Sequence, residues 1–175
     1  MSISRAFADF ASGLTLAQVP ERVATRARHL ILDAVGTGLA AIGAPWAEAT
    51  FAAAQDLGAG TAPVLGYGRT LGARDAALMN GLVTHGLDYD DTHSGGIIHA
   101  TVSAFPAALV AADQAGASGA DLLVAYIAAM EVSTRVAAAP SRRRTVTRSA
   151  ARSMTSSRTA ATCCMAPTNA PVATP

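Results

Sequence analysis

An all-α fold, a helical bundle-like domain, follows from three features of this sequence. It is 51% hydrophobic but only 5% aromatic, and alanine dominates the apolar set. Alanine has the highest helix propensity, and small side chains let helix axes approach closely. Apolar positions also recur at helical spacing, and glycine, proline or a capping residue marks most ends of those stretches. The 175 residues amount to roughly one domain, enough to bury a core.

The first helix is expected from about Ser4 to Ala11, with Ser4 as N-cap and Gly13 as stop. The second opens near Pro20, a residue tolerated in a first turn, and runs to about Ile42. Val23, Ala27, Leu30, Ile31, Ala34 and Val35 give it one apolar stripe, while Gly36, Gly38 and Gly43 suit close helix crossings. The third spans Pro45 to Leu57 and stops at Gly58. Thr61 to Gly68 reads as a short extended piece between turns. The fourth runs from about Ala73 to Leu87. The fifth covers about Thr101 to Ala115, although Pro106 argues for a start nearer Phe105. The sixth opens at Ser118, with Asp121 completing a capping-box arrangement, and continues through Leu122, Leu123, Tyr126, Ile127 and Met130 to about Val136.

Charge is distributed unevenly. Residues 1–140 hold seven arginines and all 12 acidic residues, whereas residues 141–175 hold six arginines and no acid. The formal net charge of +1 points to neither nucleic acid nor a membrane surface as partner. The division predicts a helical domain over 1–140 and a disordered segment over 141–175. That segment is either a basic tail or, the reading preferred here, a frameshifted end. The chain contains no lysine, which suits GC-rich coding, and out-of-frame GC-rich codons give Arg, Ser, Thr, Ala and Pro. No stretch reads as a transmembrane helix or a signal peptide. The two cysteines, Cys163 and Cys164, are adjacent and form neither a disulfide framework nor a metal-binding spacing. A cytoplasmic location is the expectation.

Chemistry concentrates between Asn80 and Ser103. Three of the four histidines (His85, His93, His99) and three closely spaced carboxylates (Asp88, Asp90, Asp91) fall there, with Gly95-Gly96 between them. His85 and Asp88 stand i, i+3 on one helix face. Clustered carboxylates resist simultaneous ionisation when shielded from water, which suits general acid–base work. The glycine pair lets the loop take unusual backbone angles and lets a ligand approach. Simpler readings stand beside this one. The acidic turn suits a solvated loop capping the next helix, and His85 suits a satisfied core histidine. His and Asp are also metal ligands, but no HExxH, HxH or two-His-one-carboxylate pattern is present, so no metal is expected. Gly66-Tyr67-Gly68 lacks the strand–helix context of a nucleotide loop. Arg69 and Arg74 flank the helix that delivers the motif and are expected at the surface.

The stretch Asn80-Gly81, His85-Gly-Leu-Asp-Tyr-Asp-Asp-Thr92, His99 and Pro106-Ala-Ala108 resembles the signature of the MmgE/PrpD family. Asp33-Ala-Val-Gly36 and Pro63-Val-Leu-Gly66 are similar to the family as well, so the likeness covers about residues 5–138. The family includes 2-methylcitrate dehydratase, cis-aconitate decarboxylase and an iminodisuccinate epimerase. The resemblance implies the N-terminal part of a large helical domain, usually in a homodimer. It implies no metal or organic cofactor, and a small polycarboxylate as substrate. It implies Asp88 and His99 as catalytic residues, with His85, Asp90, Asp91, Thr92 and His93 in the same signature as substrate-binding candidates. His99-Ala-Thr stands where many members have His-Pro-Ser, which leaves the substrate open. The family's other active-site groups, a second His, a Lys and a Tyr, fall further along a full-length chain. The expectation is therefore a lyase or epimerase fragment that is inactive alone. The rivals are a non-catalytic helical homologue or oligomerisation module, and a helical metallohydrolase.

Overall fold

The computed structural model describes residues 2–149, in which six α-helices surround one two-stranded ribbon. Helix α1 spans Ile3–Gly13 and is capped by Ser2, whose side chain accepts from the Arg5 backbone N–H at 3.2 Å. The expected cap, Ser4, lies inside the first turn. A cap needs extended backbone, which Ser2 has (φ −75°, ψ 154°). A single 3-10 turn at Leu16–Gln18 follows, closed by Gln18 Oε1 accepting from the Thr15 backbone N–H at 2.8 Å.

Helix α2 (Glu21–Ala41) starts after Pro20 and buries Ala24, Ala27, Leu30, Ala34, Gly38 and Ala41, a narrow stripe of mostly small residues. Val23, Ile31 and Val35 flank that stripe, partly buried. Helix α3 (Pro45–Leu57) matches its expected span and breaks at Gly58, whose φ of 149° few other residues adopt. Strand β1 (Ala62–Pro63) pairs antiparallel with β2 (Thr70–Leu71), Ala62 opposite Leu71 and Pro63 opposite Thr70.

Helix α4 (Ala73–His85) ends two residues before the expected Leu87, so His85 is its last residue. Helix α5 (Thr101–Ala115) carries Pro106 in its interior rather than starting beside it. Proline cannot donate to the carbonyl four residues back, that of Val102. This carbonyl oxygen instead faces Gly81 of α4, where a Cβ would stand only 3.0 Å from it. Glycine 81 and Pro106 thus permit a close α4–α5 crossing, and the two helices form the most extensive contact of the fold.

Helix α6 (Gly119–Ser149) opens with the expected capping box: Ser118 N–H donates to Asp121 Oδ2 at 3.1 Å, and Asp121 N–H to Ser118 Oγ at 3.2 Å. Hydrogen bonds from Ser118 hold the Asp121 carboxyl below the usual carboxylate range. The helix continues past Val136, where the apolar pattern stops, and takes in residues 141–149. The rest of the segment read as a disordered or frameshifted tail, 150–175, lies outside the described residues. One expectation needs correction. The stretch Gly119–Ala139 is long and apolar enough to cross a membrane by composition, with mean hydropathy 1.5. Its apolar side chains have another use, because Leu123, Tyr126, Ile127 and Met130 fill the core.

Two clusters make up that core. In one, α2, α5 and α6 pack Leu30, Phe105, Leu123, Tyr126, Ile127 and Met130 among alanines. The Phe105 and Tyr126 rings meet edge to face with centroids 6.4 Å apart. In the other, Phe51, Val64, Leu71, Met79, Val83 and Val110 join α3, the ribbon, α4 and α5. Inside the first cluster Thr101 Oγ1 and the Tyr126 hydroxyl share a buried hydrogen bond of 2.7 Å. This bond ties the first residue of α5 to α6. Burial pushes the Tyr126 phenol well above its ordinary range.

Candidate active site

The C-terminus of α4 and the N-terminus of α5 end side by side, because the two helices cross closely at Gly81. His85 closes α4, and His99 stands two residues before α5 begins. Between them the chain turns sharply. Asp88 donates its backbone N–H to the His85 carbonyl at 2.8 Å and takes a left-handed conformation, φ 56°. Such a conformation is uncommon outside glycine, and Asp tolerates it better than most residues.

That turn points successive carboxylates in different directions. Asp90 goes inward, with its side chain 1% exposed, while the Asp88 side chain is 80% exposed. Asp90 Oδ1 lies 2.9 Å from His85 Nδ1 and 3.3 Å from His99 Nδ1. His99 Nε2 in turn lies 3.9 Å from Asp88 Oδ1. The two imidazoles meet edge to face, with ring centroids 4.9 Å apart. His99 is within ion-pair distance of Asp90 Oδ1, but the alignment is too poor for a hydrogen bond; among the described residues neither buried His99 Nδ1 nor buried Asp90 Oδ2 has a hydrogen-bond partner.

The structure therefore brings together four of the sequence-predicted residues, His85, Asp88, Asp90 and His99, and separates the other three. Asp90 is too deeply buried to be a substrate contact; it lies beneath both histidines. Asp91 accepts the Thr101 backbone N–H at 3.1 Å and so caps the start of α5. Thr92 is exposed in the loop. His93 serves the loop itself. Its backbone N–H donates to the Ile98 carbonyl at 2.8 Å, and its Nδ1 accepts the Gly96 N–H at 3.0 Å. The ring sits against Gly95, where a Cβ would come to 3.0 Å of it.

Four donor atoms, one each from His85, Asp88, Asp90 and His99, lie within 4.8 Å of one another, a span that could hold a metal ion. Spacing along the chain did not announce this set, because its members meet only through the helix crossing and the turn. Electrostatically the cluster sets two carboxylates against two imidazoles. Arg69 and Arg74, weighed from sequence as possible partners of a substrate carboxylate, are engaged elsewhere. Arg69 donates to Gln55 at 3.2 Å and lies over the Phe51 ring, and Arg74 pairs with Asp75 at 2.9 Å.

Two further residues matter here: Asn80, to which the sequence reading gave no role of its own, and Trp46, which it passed over. Buried Asn80 accepts the Leu65 N–H at 2.8 Å and donates to the Pro63 carbonyl at 3.0 Å, fixing the ribbon against α4. Trp46, the sole tryptophan, lines an open apolar groove of about 650 Å³ together with Gly81, His85, Val102 and Pro106. The Asn80-Gly81 pair was a signal for the first, and nothing in the sequence pattern announced the second.

Comparison with known proteins agrees with the motif. The family profile of the MmgE/PrpD N-terminal domain matches residues 5–170. A cis-aconitate decarboxylase-like protein of Aspergillus oryzae is 31% identical over 146 residues, covering 79% of this chain and 30% of the relative. Cis-aconitate decarboxylase of Aspergillus terreus is 30% identical over 133 residues, and that of Mus musculus 27% over 143 residues. They are covered over 27% and 29% of their lengths, against 73% and 77% of this chain. The chain thus spans less than a third of the curated relatives it matches. With a profile match over most of its length, and the family's histidine–aspartate motif gathered at one helix crossing, the chain belongs to the MmgE/PrpD family.

Proposed function

We infer that this chain supplies the helical part of a lyase site for small di- and tricarboxylic acids, cis-aconitate and 2-methylcitrate among them. Asp88 and His99 carry out the proton transfers. The observation that carries the reading is the 3.9 Å approach of exposed Asp88 to His99 Nε2, at the point where the sequence matches the family signature. Dehydration, decarboxylation and epimerisation of such acids all build negative charge beside a carboxylate. A site for them needs a proton donor or acceptor and groups that stabilise the growing charge. His99 and Asp88 meet the first need, since imidazole exchanges protons near neutral pH.

The second need is met poorly by these residues. Two carboxylates repel an anionic substrate, and the arginines weighed for this role are engaged elsewhere. We therefore propose that efficient turnover requires cationic groups from the region that the relatives have and this chain does not span. We further propose that the complete enzyme is a cytoplasmic homodimer without metal or organic cofactor. The alternatives are an epimerase of the same family and a non-catalytic helical or oligomerisation homologue.

The test is an assay of the chain as it stands and of the chain extended by its downstream coding sequence. Substrates are cis-aconitate and 2-methylcitrate, with Asp88→Asn as control. The extended chain is expected to turn over one of them. Asp88→Asn should lower kcat by about 10²–10⁴, the usual weight of a positioned acid or base. An extended chain that folds but acts on neither acid would end the lyase reading. Ordinary turnover by the chain alone would end the claim that it is incomplete.

A further inference from the structure

We propose that Asp90 is a positioning residue shared by two bases: it holds both His85 and His99 in the tautomer with the proton on Nδ1, so that two Nε2 lone pairs, not one, face the ligand. The tautomer assignment stands on geometry alone. The role of His85 as a second base rests on the lyase reading above.

The argument is a count of donors and acceptors. A neutral imidazole has one N–H and one lone pair, and an ionised carboxylate only accepts. Asp90 Oδ1 lies 2.9 Å from His85 Nδ1 and 3.3 Å from His99 Nδ1. His85 Nδ1 is hydrogen-bonded to the carboxylate and so carries its proton. His99 Nδ1 is not aligned for a hydrogen bond but is buried 3.3 Å from the same oxygen. It is driven to the same form, because a bare lone pair there would be repelled without water to screen it, whereas the 3.9 Å approach of Nε2 to Asp88 is at a carboxylate 80% exposed to water. The proton's place on one ring nitrogen fixes the other as an acceptor. For His99 that acceptor is Nε2, the nitrogen turned toward exposed Asp88. For His85 it is the nitrogen away from Asp90, on a ring that lines the groove beside Trp46 and Gly81.

Asp90 has a spare oxygen for this task. Oδ2 is buried with no donor, and so is His99 Nδ1 without an aligned acceptor. A rotation of the carboxylate that offered one oxygen to each ring would give both orphaned atoms a partner, which burial favours. The backbone supports the arrangement. The left-handed turn at Asp88 buries Asp90 beneath the rings, and Asp91, the neighbouring carboxylate, is diverted to the Thr101 N–H.

The experiment is a two-bond proton–nitrogen correlation spectrum of the 15N-labelled chain above the titration range of its histidines. His85→Gln and His99→Gln variants assign the rings, and His29 and His93 serve as internal controls. Both His85 and His99 are expected to show a pyrrole-type Nδ1 and a pyridine-type Nε2. In His85→Gln, His99 should keep that pattern. In Asp90→Asn, whose amide can donate, at least one ring should move to the opposite tautomer or to a mixture. Either ring found with its proton on Nε2 in the unaltered chain overturns the proposal, as does a folded Asp90→Asn with both patterns unchanged. A spectrum altered by a chelator overturns it too, since a metal ion rather than two protons would then occupy the cluster. If Asp90→Asn fails to fold, the unaltered chain and His85→Gln decide. Titration of the chain extended by its downstream coding sequence with cis-aconitate reads the ligand-facing half of the claim: both Nε2 signals should shift, and binding that moves only one or neither overturns it. Nδ1–H patterns together with a folded extended chain that has no lyase activity would leave the lock standing while the lyase reading falls.

Discussion

Replacing Thr101 by valine keeps the shape of the side chain and removes its hydroxyl. Thr101 is 1% exposed and Tyr126 is fully buried, so water cannot replace the lost partner. The Tyr126 hydroxyl, now 2.7 Å from Thr101 Oγ1, would then have no hydrogen-bond partner among the described residues. A buried donor stranded in this way costs about 1–3 kcal/mol. In the reciprocal variant, Tyr126→Phe, Thr101 Oγ1 retains the Met130 sulfur at 3.8 Å, a weak acceptor, so its cost belongs near the lower end of that range. Removing both hydroxyls leaves no orphan. The double variant should therefore lose much less than the two single losses combined, with a coupling of about 1–2 kcal/mol. The assay is urea unfolding of the four proteins followed by far-ultraviolet circular dichroism, with the denaturant slope held constant as the check on comparability. Additive losses to within about 0.5 kcal/mol would refute the reasoning, because independent sites add to that accuracy. A Thr101→Val protein as stable as the original would refute it more directly.

The remaining predictions concern pH and close packing. The Tyr126 phenol is raised above its ordinary value of 10.0 by burial, with its bond to Thr101 opposing the shift. Because the folded chain resists ionising it, the associated stability is complete below pH 10.0 and drains away as pH rises beyond it. Tyr126→Phe should flatten that alkaline limb in thermal melts recorded against pH. Gly81→Ala gains up to about 1 kcal/mol of helix propensity but drives a methyl against the Val102 carbonyl at 3.0 Å. Overpacking against backbone costs about 1–3 kcal/mol, so the midpoint in urea should fall, and a rise would show the crossing to be loose. Gly96→Ala places a Cβ 2.6 Å from that of Ala137 on α6. Faster amide exchange across residues 93–98, with α2 and α3 unchanged, is the expected result.

Much of the fold was legible because its long helices carry local signals. The third helix ran from Pro45 to Leu57 and stopped at Gly58, as its proline and glycine indicate, and Ser118 with Asp121 announced the sixth. What failed was weaker or longer in range. Strand β2 is two residues long, too short for any period to show. Ser4 looked like a cap, but the extended backbone a cap needs lies two residues earlier, at Ser2. Pro106 argued for a later helix start, yet a carbonyl without its donor is tolerable where Gly81 packs against it. In the site, the motif gave the right neighbourhood but not the direction of each side chain. Whether Asp90 faces in and Asp88 out depends on one left-handed residue, which composition does not reveal. Nor does linear spacing reveal that Asp91 and His93 are spent on the backbone of the next helix and of the loop.

The bridge between His93 and Ile98 separates two kinds of change that a lineage can explore. Its bonds at 2.8 Å from His93 N–H to the Ile98 carbonyl, and from Ile97 N–H back to the His93 carbonyl, are made by main chain and are indifferent to side-chain identity at Ser94, although Ile97 holds a left-handed backbone, φ 52°, that restricts what can stand there. Within the tip Ser94 is free to be respelled, whereas Gly95 and Gly96 pack against His93 and Ala137, and the base keeps His99 in register with α5. Variation at Ser94 need not disturb the loop base, and a library randomised there should retain the scaffold.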